Sequence, residues 1–214
     1  MIKNLISTHA HPVEMTTKLG DLTMRNKTYQ TAVVIIPPKE IWASIQLIRE
    51  QHDIHYRRWM PHITLLYPFR PRAEFGLVVD RLSHACQGRP PFWICLELFR
   101  FFSQHRSRYT VWLDPQPPSN KLETGLRRRN PIKDLQQRLW GILPDCDDTR
   151  RFKNGFNPHL SVGQVTSKHN LDNFLCQFQP KWQPLTFYVS EVHLIWRNDP
   201  PNDVFEVDQT IAFS

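Results

Sequence analysis

The sequence predicts an α+β protein of two similar lobes, and three observations carry that prediction. Strand-like and helix-like stretches succeed one another as β-α-β-α-β and then as β-α-β-α-β again. The central strand of each run opens on one pattern, Pro-His-apolar-hydroxyl-apolar, at residues 61–65 and 158–162. Hydrophobic residues make up 40% and charged residues 22% of the 214, a balance that folds and that excludes a disordered or collagen-like chain.

Regular patterning begins at Tyr29. Thr31 to Ile36 is a β-branched run closed by Pro37 and Pro38, which reads as a buried strand. Pro38 then opens a helix in which Ile41, Trp42, Ile45 and Ile48 recur at helical spacing. A second short strand, Ile63 to Tyr67, is stopped by Pro68. Phe75, Val78, Val79 and Leu82 mark a second helix, and Pro90-Pro91 introduces a strand over Phe92 to Phe102. The second run repeats the order. Tyr109 to Leu113 is a strand, and after a basic loop from Asp114 to Asn130, Pro131 opens a helix carrying Leu135, Leu139 and Trp140. A polar segment, Asp145 to Asn157, leads to the strand Leu160 to Val165 and to a helix with Leu171, Phe174, Leu175 and Phe178. Leu185, Phe187 and Val189 alternate, Val192, Leu194 and Trp196 keep the period of two after a change of phase, and a last strand runs from Val204 to Phe213. The reading is one two-lobed domain over 28–214, with pseudo-repeats at about 29–102 and 108–213. Residues 1–27, polar and weakly periodic, form an N-terminal extension.

Composition also narrows function. The chain has 18 prolines and 7 glycines, and neither a GxGxxG nor a Walker loop is present, which argues against Rossmann or P-loop nucleotide binding. Net charge is +7, unevenly spread: residues 97–153 hold 12 Lys/Arg against 7 Asp/Glu, whereas residues 172–214 hold 2 against 6. An anionic partner would be drawn to the middle of the chain, where Arg127, Arg128 and Arg129 stand in the proline-bounded loop. The four cysteines form no CxxC pair, no signal peptide opens the chain, and no apolar run approaches the ~20 residues of a membrane span. The expectation is a reduced intracellular protein, cytoplasmic or nuclear, without membrane association and monomeric. His9 and His11 form an HxH that lacks the further ligands of a tetrahedral metal site.

The paired motif carries chemistry. A strand period of two puts His62 and Thr64 on one face and Ile63 and Leu65 on the other, and treats His159 and Ser161 likewise against Leu160 and Val162. Each strand buries an apolar face and presents an imidazole and a hydroxyl from the opposite one. If the halves are related by an approximate two-fold axis, those polar faces meet in a cleft. Imidazole titrates near neutrality, so one histidine can take a proton from an attacking oxygen while the other gives one to a leaving oxygen. The hydroxyls can donate to non-bridging phosphoryl oxygens. No metal or organic cofactor is needed.

Residues 62–65 and 159–162 resemble the paired His-x-Thr/Ser-x signatures of the two-histidine phosphoesterase superfamily, in its 2′-5′ RNA ligase and cyclic nucleotide phosphodiesterase (LigT-like) branch. Residues 59–69, Trp-Met-Pro-His-Ile-Thr-Leu-Leu-Tyr-Pro-Phe, are similar to that branch's first motif, and Glu191 to Arg197 with Phe205 to Val207 are similar to its closing strands. The resemblance spans about residues 29–213. It implies a duplicated two-lobed α+β fold, each lobe an antiparallel-rich sheet with flanking helices around a central cleft. It also implies hydrolysis or formation of a 2′,3′-cyclic phosphate or 2′-5′ phosphodiester bond on an RNA end or nucleotide. His62 and His159 would be the acid/base pair and Thr64 and Ser161 the phosphate donors. Tyr67 and Phe156 flank the motifs as candidate base-stacking residues, and Arg58 and Arg108, with Arg57 and Arg106, as candidate phosphate contacts. His193, in the closing strands, is expected to have a surface or packing role. Two other readings stay open: an RNA- or nucleotide-binding module of the same fold without useful catalysis, and a metal hydrolase with the histidines as ligands.

Overall fold

The computed structural model describes residues 26–118, 130–146, 148 and 155–213. His9, His11 and Arg127 to Arg129 lie outside the described residues. Among the described residues, eight strands form two four-stranded antiparallel sheets, accompanied by four α-helices. In chain order they are β1 (Thr31–Ile35), α1 (Trp42–His52), β2 (Ile63–Leu66), α2 (Phe75–Cys86), β3 (Phe92–Gln104) and β4 (Arg108–Gln116). The second run continues with α3 (Pro131–Ile142), β5 (Leu160–Thr166), α4 (Lys168–Phe178), β6 (Leu185–Val189), β7 (Glu191–Trp196) and β8 (Glu206–Ala212). Among the described residues, no helix is long and apolar enough to cross a membrane.

The first sheet has the order β2-β1-β7-β8 and the second β5-β4-β3-β6. The α+β, two-lobed architecture is therefore the one the pattern predicts, but the lobes trade strands: β3 pairs with β4 and β6, and β7 pairs with β1. The crossover helices trade places too. α1, which follows β1, packs on β5, and α3, which follows β4, packs near β2.

Local chemistry explains the element ends. Asn130 caps α3, its side chain accepting from the Ile132 amide at 2.9 Å, with Pro131 in the first turn where no amide proton is missed. Ser167 caps α4 by accepting from the Asn170 amide at 3.2 Å. β3 and β4 run longer than their apolar cores suggest, because they form a hairpin whose turn has no glycine: Arg106 and Ser107 take the left-handed conformation, at φ 60° and 53°. Val204 and Phe205 precede the last strand, since the Phe205 ring packs against the first sheet instead of extending β8.

One continuous core lies on the helix side of both sheets. Ile63, Leu65, Leu160 and Val162 are all fully buried in it, as the alternation requires, each contributing ~1.5–3 kcal/mol. A smaller cluster, Ala32, Val34, Ile195 and Phe205 with Trp59, Met60 and Tyr67 packed against it, covers the other face of the first sheet. The first motif looks to that face, and the second motif to the corresponding face of the second sheet.

Candidate active site

β2 and β5 approach each other across the cleft, near enough that charge on His159 opposes protonation of His62. The two histidines are held in the same way. His62 Nδ1 donates to the Met60 carbonyl at 2.7 Å and His159 Nδ1 donates to the Asn157 carbonyl at 2.9 Å. A carbonyl can only accept, so in the neutral ring each Nδ1 bears the proton and each Nε2 keeps its lone pair. Both rings are half-buried, as are Thr64 and Ser161 two residues on.

Aromatic walls account for the environment. The His62 ring stacks on Trp59 with centroids 4.5 Å apart, Trp59 stacks on Phe205 at 3.7 Å, and Tyr67 meets Trp59 edge-on at 5.5 Å. His159 lies edge-on to Phe102 at 5.0 Å and to Trp112 at 5.9 Å. Burial lowers both imidazole pKa values. His62 is pushed down to about 4, chiefly by desolvation and further by the positive charges of Arg49 and His159, against the opposing Met60 hydrogen bond and Asp53.

Behind His62 stands a buried ion pair that the periodicity did not single out. Arg49 Nε donates to Asp53 Oδ2 at 2.9 Å, its Nη1 to Gln46 Oε1 at 2.9 Å and its Nη2 to the Trp59 carbonyl at 2.8 Å. α1 thereby fixes the segment that enters β2, and with it the Met60 carbonyl that orients His62. The Arg-x-x-x-Asp spacing, one helical turn, is the signal that could have revealed it.

The other sequence candidates divide. Tyr67 belongs to the His62 wall, where its hydroxyl donates to the Tyr29 carbonyl at 3.2 Å and burial raises its pKa. Arg58 lies close enough for its charge to act on Tyr67, but is bound to Asp203 at 2.5 Å. Arg57 reaches the same carboxylate at 3.7 Å. Burial works against ionisation of Asp203, yet the Arg58 hydrogen bond and the two guanidinium charges outweigh it and hold the carboxyl below its ordinary value. Phe156 is 8% exposed and part of the main core, because it turns inward ahead of β5. Arg108 lies farther along the second sheet. It pairs with Thr166, five residues along β5 from Ser161, which is roughly 17 Å of strand. Arg106 sits beside it in the exposed hairpin turn. His193 is buried on β7, with Thr210 hydrogen-bonded to its Nδ1 at 3.1 Å.

The register brings in residues not expected. Ser161 pairs with Trp112, and Trp112 with Arg100, so all three share the cleft face of the second sheet. The Trp112 indole N–H is buried without a hydrogen-bond partner among the described residues. Among the described residues, no group of three or more His, Cys, Asp or Glu is placed to hold a metal ion.

Residues 37–201 match the family model described as the 2′-5′ RNA ligase superfamily. The candidate phosphoesterase BH1439 of Halalkalibacterium halodurans is 26% identical over 168 residues, 78% of this chain and 88% of that protein. Escherichia coli LigT complexed with 3′-AMP superposes with a TM-score of 0.55 at 17% identity, covering 87% of this chain and 98% of that one. TT0787 of Thermus thermophilus superposes with a TM-score of 0.56 at 15% identity, covering 86% and 97%. At those identities the two solved structures speak to the fold.

Proposed function

The chain belongs to the 2′-5′ RNA ligase superfamily, and from that premise we propose that it is a phosphoesterase acting on 2′,3′-cyclic phosphate or 2′-5′ phosphodiester bonds of RNA ends or nucleotides, without a metal. The observation that carries this reading is the mirrored pair: two imidazoles, each with Nδ1 anchored on the carbonyl two residues upstream, a free Nε2 and a hydroxyl two residues downstream. The phosphoesterase name of the relative and the nucleotide in the LigT complex support it.

For a cyclic phosphate the step is in-line hydrolysis. His62 Nε2 takes a proton from water as the water oxygen bonds to phosphorus. The bond from phosphorus to one ribose oxygen breaks, and protonated His159 gives that oxygen its proton through Nε2. His62 is the base because desolvation and Arg49 keep it neutral. The substrate's negative charge favours the protonated form of His159 in the complex. Thr64 and Ser161 donate to the non-bridging oxygens where charge accumulates. Running backwards, the same residues exchange roles and form the bond.

The test is turnover of 2′,3′-cyclic nucleotides, cyclic-phosphate-ended RNA and 2′-5′ oligoadenylate by wild type, His62→Ala and His159→Ala, with and without chelator. Each substitution should cost ~10²–10⁴-fold in kcat with an unchanged circular dichroism spectrum, and chelator should have no effect. Full activity in either variant overturns the reading. Salt-sensitive RNA binding with no product from any substrate would establish the binding module instead.

A further inference from the structure

The loop between β7 and β8 is exposed along residues 198–202, and then two side chains turn inward on either side of exposed Val204. They are Asp203 and Phe205, 4% and 2% exposed. A carboxylate at that depth needs cationic partners to stay ionised. Arg58 gives it two hydrogen bonds, from Nε and Nη2 to Oδ2, each at 2.5 Å, and Arg57 lies 3.7 Å from Oδ1. The backbone adds a second stitch, the Phe205 amide donating to the Arg58 carbonyl at 2.8 Å. Side chain and main chain together fasten this late loop to the segment that leads into β2.

What is fastened there is the ring that covers His62. Trp59 lies between Phe205 at 3.7 Å and His62 at 4.5 Å, with interplanar angles of 27° and 16°, so the three rings form one pile. Arg49 holds the Trp59 carbonyl from α1, which fixes the backbone of that residue but leaves its side-chain torsions to be set by packing. Tyr67 meets only the edge of the indole, and the Phe205 ring closes its outer face. Behind Phe205 stands the Arg197 guanidinium, 5.6 Å from the ring centroid. With both faces occupied, Trp59 swings away from His62 only if the loop moves.

We propose that Asp203 is a positioning residue for the base: through Arg58 it holds Phe205 against Trp59, and thereby Trp59 against His62. Its effect on turnover rests on the phosphoesterase reading. The charged groups that act on His62 are Arg49 and Asp53 of α1 and His159 across the cleft, and none belongs to the loop. The clamp therefore works on the imidazole by excluding water from its face and by fixing the direction of Nε2. Asp203 itself faces Arg57 and Arg58, which hold its carboxyl below the ordinary value, so the clamp is ionised where His62 titrates. Opening it would rehydrate the ring. Desolvation is the main cause of the low His62 pKa, so that pKa should then rise toward 6.5.

The experiment follows the His62 ring through pH by NMR of histidine-labelled protein, its signal identified by its absence from His62→Gln. Alongside, kcat and KM are measured for adenosine 2′,3′-cyclic phosphate. Asp203→Asn keeps the side-chain shape and removes the charge, whereas Phe205→Leu removes the stacked ring and leaves the charge pair alone. Each should raise the His62 pKa by about one unit or more. Each should also lower kcat by about 10-fold or more while KM stays within about 2-fold. A residue that only stabilised the loop would lower the denaturation midpoint and leave the titration in place. An unmoved titration in Asp203→Asn or in Phe205→Leu overturns the proposal, and so does a wild-type His62 that already titrates near 6.5. Should Asp203→Asn not fold, Arg58→Ala decides in its place, since it breaks the clamp from the more exposed side and leaves Arg57 beside the carboxylate. If wild type turns over no cyclic or 2′-5′ substrate, the phosphoesterase reading falls, and the titration, which needs no substrate, still decides the clamp.

Discussion

A histidine whose Nδ1 is tied to a carbonyl has one nitrogen left for chemistry, and its behaviour then depends on what surrounds the ring. For His62 that is Trp59 on its face and Arg49 behind. In the proposed mechanism the base must be neutral and the acid protonated. With His62 at about 4 and His159 also below 6.5, kcat/KM should therefore follow a bell that rises near pH 4 and is already declining above pH 6.5. A profile flat from pH 6 to 9 would contradict the assignment. Arg49→Met tests the support behind the ring. Leaving Asp53 buried without its partner should cost ~3–5 kcal/mol in denaturant unfolding. Loss of the guanidinium charge should also move the acid limb of the profile upward. His62, Thr64, His159 and Ser161 were legible because strand alternation alone settles which side chains oppose the core. Trp59, Phe205 and Arg49 were not, since a stack between residues 59 and 205 depends on how strands are shuffled, which periodicity does not encode. The inward turn of Phe156 and the distance of Arg108 from Ser161 were not legible for the same reason: nearness in sequence to a motif says nothing about direction or distance along a strand.

At the level of elements, apolar periodicity and prolines located the strands and helices because each element buries one face. What they left open was which strand lies beside which, since an antiparallel edge of β3 presents the same backbone groups to β4 as to any other strand. The glycine-free hairpin at Arg106 and Ser107 also gave no turn signal. The packing of α1 on β5 yields a prediction of its own. A Cβ on Gly163 of β5 would lie 2.7 Å from the His52 Cβ and 3.1 Å from the His52 carbonyl oxygen. His52 cannot retreat, because its ring is wedged against Phe174 and Phe178 of α4, at 4.9 and 5.4 Å. Gly163→Ala should therefore destabilise by ~1–3 kcal/mol, seen as a lower denaturation midpoint at an unchanged slope. It should also lower kcat, since α1 holds both the back of β5 and the segment leading to His62. A variant as stable as wild type would show that the contact relaxes freely.

Across the whole molecule, exchange of strands makes the lobes interdependent. Neither half of the chain contains a complete sheet, and one core runs beneath both. Unfolding should be a single transition, with tryptophan fluorescence and far-ultraviolet circular dichroism tracing coincident curves in denaturant. Separated transitions would mean that the lobes hold up independently. A net charge of +7 favours polyanions over the surface as a whole, and in the proposed mechanism the histidines and the aromatic walls choose where one would be cut. The pairing of β1 with β7 has a consequence for how the protein is made. Thr31 finds Trp196 only across most of the chain, and contacts so distant in sequence form slowly. During synthesis β1 and β2 emerge early and wait, apolar and half-paired, until residues near 196 have left the ribosome. For that interval the nascent chain exposes the apolar surface and open strand edge on which chaperones act. The proposed activity, which needs β2 paired with a β1 that is itself held by β7, should appear only after most of the protein has been translated.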